Sequence, residues 1–269
     1  MMNQRTFTAL LLLFSFTFLG YGQTESPYET SWTKDGIWVG TGLGLNVLGL
    51  KLIQDKEPLT DNQLRSLSKE DIPAIDRWAA GNYSEDLDQL SYYPFYGSFA
   101  VPFVMMLADN EMRPHAGQIT VLFVETMATT GALFTITAGA IDRERPLVYN
   151  ENLSDDERRQ AKHRRSFFAG HTAATASASF FAAKVFHDFH PDSPWRPVVW
   201  TAAAAVPAWV AYLRLESGKH FLTDNLVGYG IGAAVGILVP ELHKKKKENL
   251  DLYPAMGVDY QGVGMTYRF

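Results

Sequence analysis

The chain has 269 residues, enough for a single domain with a substantial core, and 46% of them are hydrophobic against 20% charged. A net charge of -5 and the lack of a basic face interleaved with aromatics exclude nucleic acid as a partner. With no cysteine, disulfides, zinc–thiolate sites and cysteine nucleophiles are excluded as well, and the mean hydropathy of -0.10 looks soluble only because it averages over apolar residues that are clustered.

At the N-terminus Arg5 precedes an apolar run from Phe7 to Leu19, and Gly20 and Gly22 flank Tyr21 before Gln23. A positive start, a run of this length and small residues at its end describe an export signal over 1–22, or an uncleaved N-terminal anchor. Both direct the chain to a membrane, and the absence of cysteine fits an oxidising compartment. Folded structure is expected from Thr24 onward.

Six apolar stretches follow: Gly36–Ile53, Tyr92–Ala108, Gly117–Ile141, Phe167–Phe186, Pro197–Leu215 and Leu222–Pro240. A spanning helix takes about 20 residues, with a range of roughly 17–25, so these lengths predict an all-α transmembrane bundle of about six spans. Several stretches carry Gly, Thr, Ser or His, which suit close helix–helix packing better than lipid contact. A soluble all-α bundle with unusually apolar helices is the competing architecture.

Polar connections separate the stretches. Gln54–Ser91 holds Pro58, Pro73, Gly81 and Asn82 and reads as a loop with short helices. Asp142–Ser166 is strongly charged, His187–Arg196 is a short turn, and Lys244–Lys247 is a membrane-flanking basic run. In the tail, Val258 and Tyr260, then Met265, Tyr267 and Phe269, alternate around Gln261–Gly262, which predicts a small β-hairpin. The chain thus divides into the leader 1–22, a first apolar helix and polar loop over 24–91, a helical core over 92–240, and a basic segment with the hairpin over 241–269.

Three short segments at the ends of apolar stretches offer phosphate chemistry. In Arg143-Glu144-Arg145-Pro146, Pro146 stops the helix and leaves the Arg145 guanidinium at the membrane surface, suited to bidentate phosphate contact or to ordinary snorkelling. In Ser166-Phe167-Phe168-Ala169-Gly170-His171-Thr172, Gly170 permits close backbone approach, the free N–H groups of a starting helix suit an anion, and His171 can deliver a proton. A histidine merely packed on a neighbouring helix explains the same residue. In Arg214-Leu215-Glu216-Ser217-Gly218-Lys219-His220-Phe221-Leu222-Thr223-Asp224, His220 and Asp224 are four apart and would share a helical face. A carboxylate on one imidazole nitrogen fixes the tautomer and frees the other nitrogen to attack. A structural His–Asp pair is the bland alternative, and a metal pair is disfavoured by the lack of a convincing further ligand.

Taken together, these segments resemble the three signature motifs of the type 2 phosphatidic acid phosphatase family, which shares its helical core with vanadium haloperoxidases and class A acid phosphatases. The matching residues are Arg145-Pro146, Gly170-His171, and Arg214 with His220 and Asp224, over roughly Tyr92 to Pro240. Three departures stand out: Ala138 where the family has lysine, Phe168-Ala169 where it has Pro-Ser, and Leu213 where it has serine. Arg143, Lys162, Arg164, Arg165 or Lys219 are nearby cations that would compensate.

The resemblance implies that His220 attacks phosphorus and forms a phosphohistidine, that Asp224 orients it, and that His171 protonates the leaving alkoxide and then activates water. Arg145, Arg214 and the Gly170 N–H would hold the phosphoryl oxygens, with no metal or organic cofactor. The implied activity is hydrolysis of a lipid phosphate or pyrophosphate among the lipids of a bacterial cell membrane; a site facing the periplasm is expected because an exported, cysteine-free chain has most of its business there. A haloperoxidase holding vanadate on the histidine, a soluble acid phosphatase, and an inactive relative that binds lipid phosphates are the other readings. Topology pulls two ways: the Lys244–Lys247 run, if cytoplasmic, places the motifs outside, whereas a cleaved leader followed by six spans places them inside.

Overall fold

The structure is a computed structural model and describes residues 25–245, 250–256 and 261–267. The leader, Lys246 and Lys247, and Val258, Tyr260 and Phe269 of the tail lie outside those residues. Six long helices carry the six apolar stretches: α1 (Trp32–Gln54), α2 (Glu85–Ala108), α3 (Ala116–Ala140), α4 (Gly170–Phe189), α5 (Arg196–Glu216) and α6 (Leu222–Leu242). Two antiparallel strands close the chain, β1 (Leu250–Met256) and β2 (Gln261–Tyr267). Gln261 and Gly262 pair within β2, whereas the alternation centres the turn on them.

Helix α2 begins at Glu85, one turn and more before the apolar stretch. Ser84 caps it through Leu87 N, and Glu85, Asp86 and Asp88 in the first turn complement the positive end of the helix dipole. The remaining polar segment is compact, with short helices at Asp61–Ser66 and Ala74–Arg77.

Among the described residues, four segments are long and apolar enough to cross a bilayer: α1, α5, α6 and Arg113–Ala140, which contains α3. α2 has its acidic first turn, and α4 is rich in Ala, Ser and Thr. α4 tolerates this because it is the innermost helix, packed by α2, α3, α5 and α6, with its Ser, Thr and Ala side chains buried. Lipid-facing apolar surface falls instead on α1, where Ile37, Leu43, Val47 and Leu48 are exposed.

Small residues set the helix spacing. On α6, added β-carbons at Gly228, Gly232 and Gly236 would lie 2.6, 2.1 and 2.5 Å from the Ala169, Ala173 and Ser177 carbonyl oxygens of the α4 segment. On α1, Gly49 meets the α3 backbone at Thr135 and Ile136 in the same way. Hydroxyls add interhelical hydrogen bonds, Thr130 to Ser177 at 2.7 Å and Thr172 to Asn225 at 2.7 Å.

Successive helices run in alternating directions. The end of α3, the start of α4, the end of α5 and the start of α6 therefore meet at one end of the bundle. At the other end Tyr28 bridges to Lys244, so the segment before α1 and the basic run after α6 share a face.

Candidate active site

The segment after α5 positions the central histidine. Gly218 takes φ +71°, and an added β-carbon there would sit 1.8 Å from the Asn82 carbonyl oxygen, so only glycine fits this turn. The backbone N–H groups of Lys219 and His220 both return to the Arg214 carbonyl, and Leu147 N donates to Gly218 O at 3.1 Å. His220 is consequently 2% exposed and lies just before α6, which starts at Leu222.

Because His220 precedes the helix, the four-residue spacing to Asp224 does not produce the expected hydrogen bond between them. His220 Nδ1 instead donates to the Ser166 carbonyl at 2.6 Å. A carbonyl only accepts, so Nδ1 carries the proton and Nε2 presents its lone pair when the ring is neutral. Asp224 supports this arrangement at one remove. Its Oδ2 accepts from Ser166 Oγ at 2.6 Å and from Phe221 N at 2.8 Å, while Oδ1 pairs with Arg143.

Arg143 is thereby committed elsewhere and does not replace the cation missing at buried Ala138. It spans Asp224 and Asp76, reaching Asp76 Oδ2 at 2.7 Å, and stacks over Phe221 with 5.0 Å to the ring centroid. Asp76, fully buried, also accepts from Thr223 N at 2.9 Å, and so ties the short helix Ala74–Arg77 to the start of α6. Lys162 and Arg164 are likewise occupied, by Glu157 and Asp142. Of the compensating cations considered, Arg165 acts on Arg145 electrostatically and Lys219 acts on His171.

The remaining matched residues converge. Arg145 initiates the short turn Pro146–Tyr149, Arg214 ends α5, and Gly170 and His171 open α4. His220 lies in the electrostatic field of Arg145, Arg214 and His171, and burial first, then the two guanidiniums, hold its imidazole well below the usual range. Burial and the neighbouring guanidiniums of Arg214 and Arg165 push Arg145 down to about 9. The guanidiniums of Arg145 and Arg214, both acting on the buried His220, favour an anion between them. The Nε groups of Arg145 and Arg214 are buried without hydrogen-bond partners among the described residues.

Helix α4 adds donors. Ala169 offers no side-chain cap, and the first N–H of the segment bonded within the helix is that of Ala173, to Ala169 O. The N–H groups of Gly170, His171 and Thr172 thus stand at the positive end of the helix. An added β-carbon at Gly170 would lie 2.6 Å from the Phe134 ring, so this backbone is held close against α3. The His171 ring is set by Phe95, 4.3 Å between centroids, and by Tyr92 edge-on at 5.2 Å.

Four supporting residues were not singled out from the sequence. Asp88 pairs with Arg214, whose Nη1 also donates to Ser91 at 3.2 Å, and with Lys219 at 3.0 Å. Asp76, Ser166 and Tyr92 complete the set. Asp88 carried one available signal, an acid placed on the apolar side of a capped first turn.

The family model of the PAP2 superfamily matches residues 119–248, a stretch that holds every matched motif residue. The chain belongs to the PAP2 superfamily. The family supports a phosphatase activity in general, and the four long apolar segments among the described residues support a place in the membrane. A crystal structure described as the first transmembrane PAP2 type phosphatidylglycerolphosphate phosphatase, from Bacillus subtilis, resembles it with TM-score 0.46 and 18% identity, covering 75% of this chain and 94% of that one. A likeness this distant bears on neither substrate nor mechanism. No curated protein matches the chain.

Proposed function

We propose that this PAP2 protein hydrolyses a lipid phosphate or pyrophosphate through a phosphohistidine on His220. The observation that carries the proposal is the His220 ring itself: Nδ1 is occupied by the Ser166 carbonyl, and Nε2 stays unprotonated amid guanidinium charge. Nε2 attacks phosphorus and the bond from phosphorus to the lipid oxygen breaks; His171, pushed down to about 3 by burial and the guanidiniums of Arg214 and Arg145, takes up a proton only when the phosphate anion binds beside it, and donates that proton to the departing alkoxide. Water then attacks the phosphohistidine, with neutral His171 taking its proton, which releases phosphate and restores both rings.

Arg145, Arg214 and the Gly170 N–H hold the phosphoryl oxygens while charge spreads over them. Asp224 acts as a positioning residue, fixing Ser166 and Phe221 on either side of the nucleophile. The steps use side chains of this chain and no cofactor.

An amphiphilic substrate is supported by an apolar cleft of about 390 Å³ between α5 and α6, lined by Ala208, Ala211, Tyr212 and Leu226. Leu215 and Leu222, also in its lining, bracket the segment that carries His220. We place the site on the periplasmic side of a bacterial cell membrane. Lys244 and Lys245 stand at the opposite end, which the positive-inside tendency assigns to the cytoplasm. Residues 25–31 share that end, so this orientation requires the leader to be retained as an anchor. Purified wild type and His220→Ala, assayed in detergent for phosphate release from a panel of lipid phosphates without added metal, test the mechanism. Release is expected from wild type and none from the variant; equal release from both would refute it.

A further inference from the structure

At the end of the bundle opposite His220, three side chains from distant parts of the chain converge: Asp35 in the first turn of α1, Glu125 inside α3, and His243 just after α6. One ligand-type atom from each lies within 4.8 Å of the others. His243 Nε2 stands 3.1 Å from Glu125 Oε2 and 3.5 Å from Asp35 Oδ1. Ligand atoms bound about 2.0–2.1 Å from a tetrahedral ion sit roughly 3.3 Å apart, so these spacings fit the edges of such a shell.

Two further observations point to a ligand. Glu125 is 0% exposed, and neither carboxylate oxygen has a hydrogen-bond partner among the described residues. His243 Nδ1 donates to the Val239 carbonyl at 2.8 Å, which turns Nε2, with its lone pair, toward the two carboxylates. That outer hydrogen bond is the arrangement that orients metal-binding histidines. Asp35 is similarly held, its Oδ2 accepting from Ser31 N at 2.7 Å.

Charge gives the same direction. Two buried carboxylates face one imidazole, and among the described residues His243 is the only cation-forming side chain paired with either. With both carboxylates ionised, a neutral imidazole leaves two negative charges without compensation, and a protonated one leaves a single charge. A divalent ion cancels both while the imidazole stays neutral.

We propose that Asp35, Glu125 and His243 bind a divalent transition cation of the Zn²⁺ type, clipping the start of α1 to α3 and to the end of α6. Mixed nitrogen and oxygen donors favour such an ion over Ca²⁺ or Mg²⁺. The site is separate from the phosphatase centre and stands whether or not His220 is a nucleophile.

The test uses the full, untagged chain in detergent, stripped with EDTA, incubated with Zn²⁺ and desalted before elemental counting. Wild type should retain about one Zn²⁺ per chain, and Glu125→Gln and Asp35→Asn less than about a tenth. Zn²⁺ should raise the unfolding temperature of wild type by several degrees and leave that of Glu125→Gln unchanged, with far-UV circular dichroism establishing that the variant is folded. Wild type that retains no Zn²⁺ and melts identically with and without it overturns the proposal. So does Zn²⁺ retained equally by both variants, which would locate it elsewhere on the chain.

Discussion

Asp88 lies outside every motif, yet it holds two cations beside the histidines, Arg214 and Lys219. In Asp88→Asn the side chain keeps its shape and one acceptor, while the other oxygen becomes an NH₂ group that points donors at one of two cations. One charge-assisted hydrogen bond is lost, about 1.5–3 kcal/mol, and if Asp88 works by aiming Arg214 this becomes roughly a 10- to 100-fold fall in kcat/KM. The effect should vanish in an Arg214→Ala background, because a misaimed guanidinium and an absent one are equivalent to the phosphoryl group. Phosphate release from the best lipid substrate, measured for wild type, both single variants and the double variant, closes the cycle. Thermal unfolding in the same detergent separates lost stability from lost catalysis. Asp88→Asn at the wild-type rate, or losses that multiply fully in the double variant, would refute the claim that Asp88 acts through Arg214.

The glycine row of α6 predicts a position-specific stability pattern: Gly232→Leu must displace the Ala173 carbonyl, whereas Gly230 has open space around it. Gly232→Leu should lose about 1–3 kcal/mol or fail to assemble, and Gly230→Leu should melt close to wild type. His163, buried and hydrogen-bonded to Glu157 at 3.0 Å, is pushed down to about 4, chiefly by burial. The unfolded chain therefore takes up a proton near pH 6.5 that the folded chain refuses, and this contribution to stability is lost as pH falls from about 6.5 toward 4. Unfolding temperatures measured across that range should fall less steeply for His163→Gln than for wild type.

The long helices were legible because bilayer-scale apolar runs persist despite their glycines and hydroxyls, and the motif ends were legible because Pro146, Gly170 and Gly218 punctuate those runs. The start of α2 was hidden because its first turn is acidic and capped, which resembles loop composition. The partner of His220 was misjudged for a physical reason: spacing of four implies a shared face only inside a helix, and His220 stands outside α6. Asp76 and Ser166 were not visible because their partners lie far along the chain, 147 positions for Asp76 to Thr223 and 58 for Ser166 to Asp224. Arg143 shows the converse, an arginine in a phosphate-like motif that is spent on buried carboxylates. The small residues of the apolar stretches announced close helix packing, but only the fold picks out Gly228, Gly232 and Gly236 and names α4 as their partner.

That glycine row has a consequence for how the protein meets its membrane. Where α4 and α6 touch main chain to main chain, they form a rigid pair, and this pair carries His171 and His220 at its adjoining ends. Bilayers of different thickness tilt helices to match their hydrophobic length, and side-chain-cushioned helices slide as they tilt. A pair locked at the backbone tilts as one body. The gap between proton donor and nucleophile is thereby insulated from the lipid in which the protein sits, and turnover should vary little between short-chain and long-chain bilayers.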